Sequence, residues 1–395
     1  MNSKEFIIRI IESCQEKMME TEKFISANAE TGFREWTTSK FMEECFETLG
    51  YKIEKAGNIP GFIAEIDSGK PGPTLCIMAE LDSLIVPDHP QANPKTGYAH
   101  ACGHQIQCAA IIGVATALKK PEILADLCGK IRFAIVPAEE LIEIEFREGL
   151  RKEGIIKYFS GKIEFLRRGL LDGVDLAFMV HTDPHCSQGF VINKGNDGCI
   201  TKNLFYKGVA SHAGSAPHLG INALYAAQLG MQAVNALRET FRERDFVRVH
   251  PIITTGGAAV NAIPSLVKIE TFVRASSVTA MERENKRINR AFAAGAAALG
   301  AELLISDRFG YMPLKNDANM VLFATECMKE IVGEEYVFTE SDVLRKGPGD
   351  HHLSVCRYKK DEIAVRKQID GDWSLVRVGD TEGWCLSSIL KKIDK

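Results

Sequence analysis

Four short apolar runs, Phe62–Ile66, Thr74–Met78, Ile131–Val136 and Leu176–His181, alternate with helix-period segments such as Gln107–Lys119 up to about Asn193. Runs of five or six β-prone residues have the length of buried strands, and the helices between them supply the crossovers that parallel strands require. No other feature constrains the fold as strongly. It calls for an α/β domain whose largely parallel sheet is flanked by helices. It also says where chemistry can sit, because open sheets of this kind bind ligands beyond the carboxyl ends of their strands.

The texture changes at Cys199. A strand over Cys199–Tyr206, a loop with Ser211-His212-Ala213-Gly214, and a helix over Asn222–Phe241 come first. Strands over Arg248–Thr254 and Ser265–Ala275, a helix over Arg283–Leu299 and a strand over Glu302–Asp307 follow. This is the β-α-β-β-α-β order of a ferredoxin-like unit. Helical patterning resumes at Asn316–Val332, so residues 1–198 and 310–395 are expected to form one discontinuous domain, interrupted by a smaller α+β domain at 199–309. Leu141–Leu171, charged and helix-prone, reads as a surface insertion with a structural rather than catalytic role.

Composition narrows the function classes. With 48 Lys+Arg against 52 Asp+Glu the net charge is -4, which gives no electrostatic case for nucleic acid or an anionic membrane and leaves a small molecule as the expected partner. The 11 cysteines, from Cys14 to Cys385, include no C-x-x-C pair, which argues against a disulfide framework or a zinc ribbon. Residues 1–30 read as an amphipathic helix without a basic-then-apolar leader. The apolar stretches near Cys108–Leu118 and Ala291–Leu299 fall short of the ~18–20 residues a membrane span needs. A cytoplasmic protein is expected.

Three polar clusters stand out, the first opening a helical segment after an extended loop and the other two following apolar runs. His100-Ala101-Cys102-Gly103-His104 offers a thiolate and an imidazole two residues apart, good ligands for zinc or manganese, although a buried cysteine beside two loop histidines has the same spelling. Pro137-Ala138-Glu139-Glu140 places two carboxylates just past Ile131–Val136, where one can bind a metal and the other can move protons. A solvated acidic pair at a loop start is the bland alternative. His181-Thr182-Asp183-Pro184 closes a third run; a lone histidine there gains weight only from the other two clusters.

These motifs, together with Ser211-His212-Ala213-Gly214, Gly256-Gly257-Ala258-Ala259-Val260-Asn261-Ala262-Ile263-Pro264 and Glu30–Glu35, occur in the order found in a family of two-metal amidohydrolases and exopeptidases. The sequence resembles its hippurate hydrolase, auxin-conjugate hydrolase and aminobenzoyl-glutamate hydrolase branch up to about residue 342. The resemblance implies that Cys102, His104, Glu140 and His181 bind two divalent ions (zinc or manganese, with cobalt a further candidate) and that Glu139 is the general acid/base. It implies that Asp82 orients a ligand, and that His212 stabilises the oxyanion, often from the partner subunit of a homodimer. Asn261 and Arg274 correspond to substrate contacts, Arg274 through a substrate carboxylate. Glu80 and Gln105 stand where many relatives carry Asp.

The ending departs from that pattern. Thr339-Glu340-Ser341-Asp342 resembles a family turn, but the His-Pro that supplies the last metal ligand does not follow it. His351 and His352 lie at about the right distance in the wrong context. Arg357–Lys360 and Arg366–Trp373 show no clear strand alternation and no apolar helix precedes Ser387–Ile393, so either a shifted reading frame or a divergent ending is indicated. The expected function is metal-dependent hydrolysis of an N-acyl or N-aroyl amino acid. A catalytically impaired binding protein of the same fold and a dipeptidase on the same scaffold are the alternatives.

Overall fold

The computed structural model describes residues 3–183, 189–192, 195–333, 336–339, 343–345, 354–357, 364–371, 373–378 and 381–386. The chain divides into two compact units, Met1–Thr182 and Asp183–Lys395.

In the first unit a five-stranded sheet runs in the order Ile53–Lys55, Phe62–Asp67, Lys130–Val136, Thr74–Glu80, Leu176–Phe178. The last three strands are mutually parallel and the first two pair antiparallel, so the sheet is mixed. Phe62, Ala64, Phe133 and Ile135 are fully buried, as the continuous apolar runs require. Phe46, from the helix Trp36–Thr48, meets Tyr51, Phe62 and Phe133 edge-on at 5.3–5.4 Å. Burying each such ring stabilises the unit by about 1.5–3 kcal/mol. The helix His104–Leu118 buries residues around most of its circumference, Cys108, Ile111, Ile112 and Ala115 among them, and lies between the sheet and the helices Ser3–Ser13 and Gln15–Ala27. The run expected to reach His181 stops as a strand at Phe178, an edge position where Leu176, Met179 and Val180 remain exposed.

In the second unit the strands Ile252–Thr255, Leu266–Ala275, Gly198–Lys207 and Glu302–Tyr311 pair antiparallel in that order, the pattern of a split β-α-β arrangement. The helices Ala223–Leu237 and Val278–Leu299 pack on one another and on this sheet. Asn222 caps the first through the Leu224 and Tyr225 amides, and Ser277 caps the second through Ala280. The expected strand Arg248–Thr254 is broken into Arg248–Val249 and Ile252–Thr255, with Pro251 at the break.

The tail corrects the sequence reading, which found no strands there. Ser354–Arg357, Val343–Arg345, Thr381–Leu386, Trp373–Val378 and Ala364–Asp370 form an antiparallel sheet in that order. Along Trp373–Val378 the residues Ser374, Val376 and Val378 are buried while Trp373, Leu375 and Arg377 are less so. A serine on the inner face and a tryptophan and a leucine on the outer one blur the hydropathy alternation. His351, His352, residues 340–342 of the expected turn and the segment Ser387–Ile393 lie outside the described residues.

Candidate metal centre

The centre is built at the carboxyl ends of Thr74–Glu80 and Lys130–Val136 and at the start of the helix His104–Leu118. Gly103 makes the approach possible. It sits at φ 94°, and a Cβ there would lie 2.6 Å from Thr182 Oγ1, so only glycine lets the two ligand loops close on each other. Thr182 Oγ1 donates to the Cys102 carbonyl at 2.6 Å, tying the loops together.

Cys102 Sγ lies 3.3 Å from His181 Nε2, and His181 Nδ1 faces the Thr182 carbonyl at 2.8 Å. That second contact fixes the tautomer and leaves Nε2 to face the thiol. His104 is oriented the same way: Nδ1 donates to the Asp82 carbonyl at 2.8 Å, and Asp82 Oδ1 lies 3.3 Å away. The inward Nε2 is buried, 3.1 Å from Glu80 Oε2, with no hydrogen bond among the described residues. Two ligand sets, Cys102–His104–His181 and Glu80–His104–Glu139, each have their donor atoms within 4.8 Å of one another.

The donor chemistry fits a divalent cation. Burial alone would push the His104 imidazole down, but its interactions with Asp82 and Cys102 and the Glu80 carboxylate outweigh it and raise its pKa to about 12. A field that holds a proton so firmly on an unbonded Nε2 also favours a cation there. His181 is raised to about 9, first by its contact with Cys102. Burial, and then the Glu80 charge, pushes Glu139 up to about 7.

The backbone aims Glu139 and Glu140 in different directions. Ala138 adopts φ 53°, a left-handed conformation unusual for a non-glycine residue, held by its amide donating to Glu35 Oε1 at 2.8 Å and its carbonyl accepting from Gly161 N at 3.1 Å. Glu139 turns toward Glu80 and His104, whereas the Glu140 carboxylate joins neither ligand set and its amide donates to Asp82 Oδ2 at 2.9 Å.

Leu141–Leu171, read from sequence as a structural surface insertion, contributes directly to the centre. It forms the helices Ile144–Lys152 and Gly161–Arg167. Arg147, fully buried, donates to the Phe159 and Glu140 carbonyls, and Lys162 Nζ donates to Glu80 Oε1. Burial opposes the Lys162 charge, but Glu80 and Glu139 outweigh it and raise its pKa. Gln107 was also missed: its Oε1 accepts from Glu80 N at 3.0 Å, and its Nε2 donates to Glu80 Oε2 at 3.1 Å and to the Val180 carbonyl at 2.8 Å. Nothing in spacing marks these residues, since Lys162 lies 82 positions from its partner. The one signal for Gln107 was its place one helical turn after Gly103.

In the second unit, His212 and Asn261 belong to adjoining loops. His212 pairs with Ala262 as an isolated bridge, Ala213 N donates to the Asn261 carbonyl at 2.9 Å, and His212 Nδ1 accepts from Gly214 and Ser215 at 3.1 Å. Both side chains are exposed. Arg274 is exposed on the strand Leu266–Ala275, opposite Arg248 in register.

Two imidazoles and a thiol converging beyond parallel strands, with carboxylates beside them, form a candidate divalent-metal site on an α/β scaffold. The chain belongs to peptidase family M20/M25/M40, which it matches over residues 76–345. It is 29% identical over 313 residues to a p-aminobenzoyl-glutamate hydrolase polypeptide of Escherichia coli (strain K12); the match covers 77% of this chain but only 60% of that protein. Over 379 residues it is 26% identical to N-acetylcysteine deacetylase of Bacillus subtilis (strain 168), covering 93% and 90% of the two chains. The fold is shared with a dinuclear metal-binding peptidase of Bacillus subtilis at a TM-score of 0.57 and 24% identity, over 81% of each chain.

Proposed function

We propose that this protein is a metal-dependent amidohydrolase that cleaves the amide bond of N-acyl or N-aroyl amino acids in the cytoplasm. The observation that carries the reading is the buried His104 Nε2, unbonded and facing Cys102, His181, Glu80 and Glu139. Family membership and the activities for which the relatives are named, p-aminobenzoyl-glutamate hydrolysis and N-acetylcysteine deacetylation, support the substrate class.

Cys102, His104, His181 and Glu140 would hold the divalent metal, zinc or manganese, with cobalt a further candidate. When bound, it supplies Lewis acidity to the amide carbonyl and to the attacking water. Asp82 keeps the His104 ring in place through its backbone carbonyl and carboxylate. Glu139, with its pKa raised to about 7, is poised to take a proton from water and return it to the departing amine. His212 stabilises the developing oxyanion, and Asn261 and Arg274 hold the substrate, Arg274 through its carboxylate.

The test compares Glu139→Gln with Glu140→Gln on a panel of N-acyl amino acids, with metal content measured in parallel. Glu139→Gln is expected to keep its metal and lose about 10²-fold or more in turnover, and Glu140→Gln to lose metal. The opposite pattern would exchange the two roles, and activity in both variants equal to wild type would refute the mechanism.

A further inference from the structure

The two ligand sets share one imidazole nitrogen. His104 Nδ1 is committed to the Asp82 carbonyl, so Nε2 carries the only lone pair of this ring free to ligate, and it can bind one ion. Once Nε2 serves Cys102 and His181, the other set is reduced to the carboxylates of Glu80 and Glu139. A cation already faces them. Lys162 Nζ donates to Glu80 Oε1, while the other Glu80 oxygen accepts from Gln107 Nε2 at 3.1 Å. Glu80 is almost wholly buried, and this ammonium compensates it on the Oε1 side while His104 Nε2 lies 3.1 Å from Oε2, so a divalent ion placed beside Oε1 would be repelled by the lysine.

The lysine is held in position by the backbone. Gly161, immediately before it, packs so tightly on the end of the strand Lys130–Val136 that a Cβ would lie 1.7 Å from the Pro137 carbonyl oxygen. The first residue of the helix Gly161–Arg167 is thereby fixed against the same loop that carries Glu139.

Resting on the metal-hydrolase reading above, we propose that Lys162 takes the place of a second divalent ion. The protein then binds a single ion at Cys102–His104–His181, with Glu140 as in the reading above, and the ammonium serves as the fixed positive charge beside Glu80 and Glu139. In this arrangement Lys162 is a positioning residue: it holds Glu80 in place and denies the carboxylate pair to a second metal.

The experiment counts bound metal in the full-length protein after chelator treatment, reloading with Zn²⁺ or Co²⁺ and desalting. Elemental analysis gives the stoichiometry, and the thiolate-to-cobalt absorption band reports filling of the Cys102 position. Wild type is expected to hold one ion per chain, with the cobalt band saturating at that equivalent. Lys162→Met is expected to take up a second ion without further growth of the band, and Lys162→Arg, which keeps the charge, to stay at one. Two ions in wild type, or one in folded Lys162→Met, would overturn the lysine's role and leave the hydrolase reading intact. The wild-type count decides the matter even if Lys162→Met does not fold. Absence of the cobalt band in wild type would instead sink the metal reading on which this proposal rests.

Discussion

Replacing Arg147 with methionine should destabilise the unit Met1–Thr182 severely, although the sequence around it looks like a solvated surface helix. The side chain is fully buried, its guanidinium donates to the Phe159 and Glu140 carbonyls, and it lies 5.5 Å over the Phe33 ring. Two acids, Glu35 and Asp82, are wholly buried and feel its charge. Burial and then Asp82 push the Glu35 pKa well above the usual carboxylate range. Burial would raise Asp82 too, but its hydrogen bond and charge interaction with His104 lower it, and Asp82 stays ionised. Methionine fills a similar volume but leaves two carbonyls unbonded and the Asp82 charge less compensated. Removing one partner of a buried charge arrangement costs about 3–5 kcal/mol. At ~2–4 °C per kcal/mol for a unit of 150–250 residues, the melting transition should fall by roughly 6–20 °C. Calorimetry in excess chelator is the proper assay, because metal binding adds its own stabilisation. Arg147→Lys should fall between the two, keeping the charge without the fork of donors. An Arg147→Met protein melting within about 2 °C of wild type, against that roughly 6–20 °C, would show that the guanidinium contributes little to this unit.

Chelation should abolish turnover, and Zn²⁺ or Mn²⁺ should restore it, with metal affinity weakening as pH falls because protons compete for Cys102, His104 and His181; full activity after exhaustive metal removal would contradict the mechanism. His212→Ala should lower turnover without changing metal content, and sedimentation should show a homodimer; a monomer with a normal His212→Ala rate would refute that role. Glu164 is buried, and although burial pushes its carboxyl up, Arg167 and the Tyr158 and Lys157 amides hold it below the usual range. A depressed folded pKa gives stability that is present above the unfolded value of about 4.3 and lost as pH falls through the folded one. Glu164→Gln should therefore flatten the acid limb of the stability curve in pH-dependent denaturation, and an unchanged limb would count against this linkage.

The strands of the first unit were legible because each is a continuous apolar run, and Cys102, His104, Glu139 and His181 because each follows such a run or opens a helix. Leu141–Leu171 was misread for a definite reason. Arg147 and Lys162 occur among many other charges in that segment, and only tertiary packing turns these two inward toward Asp82 and Glu80. Gln107 was hidden differently, since an amide within an apolar helix carries no sign of which backbone it will bind. The strand Trp373–Val378 was hidden because Ser374 occupies an inward position that a hydropathy pattern reserves for an apolar residue.

The described residues of the metal centre all come from a stretch between Glu80 and His181. Such a centre travels as one uninterrupted segment of gene. Changes downstream of it, including replacement of a terminal sheet, need not be accompanied by compensating changes among these ligands.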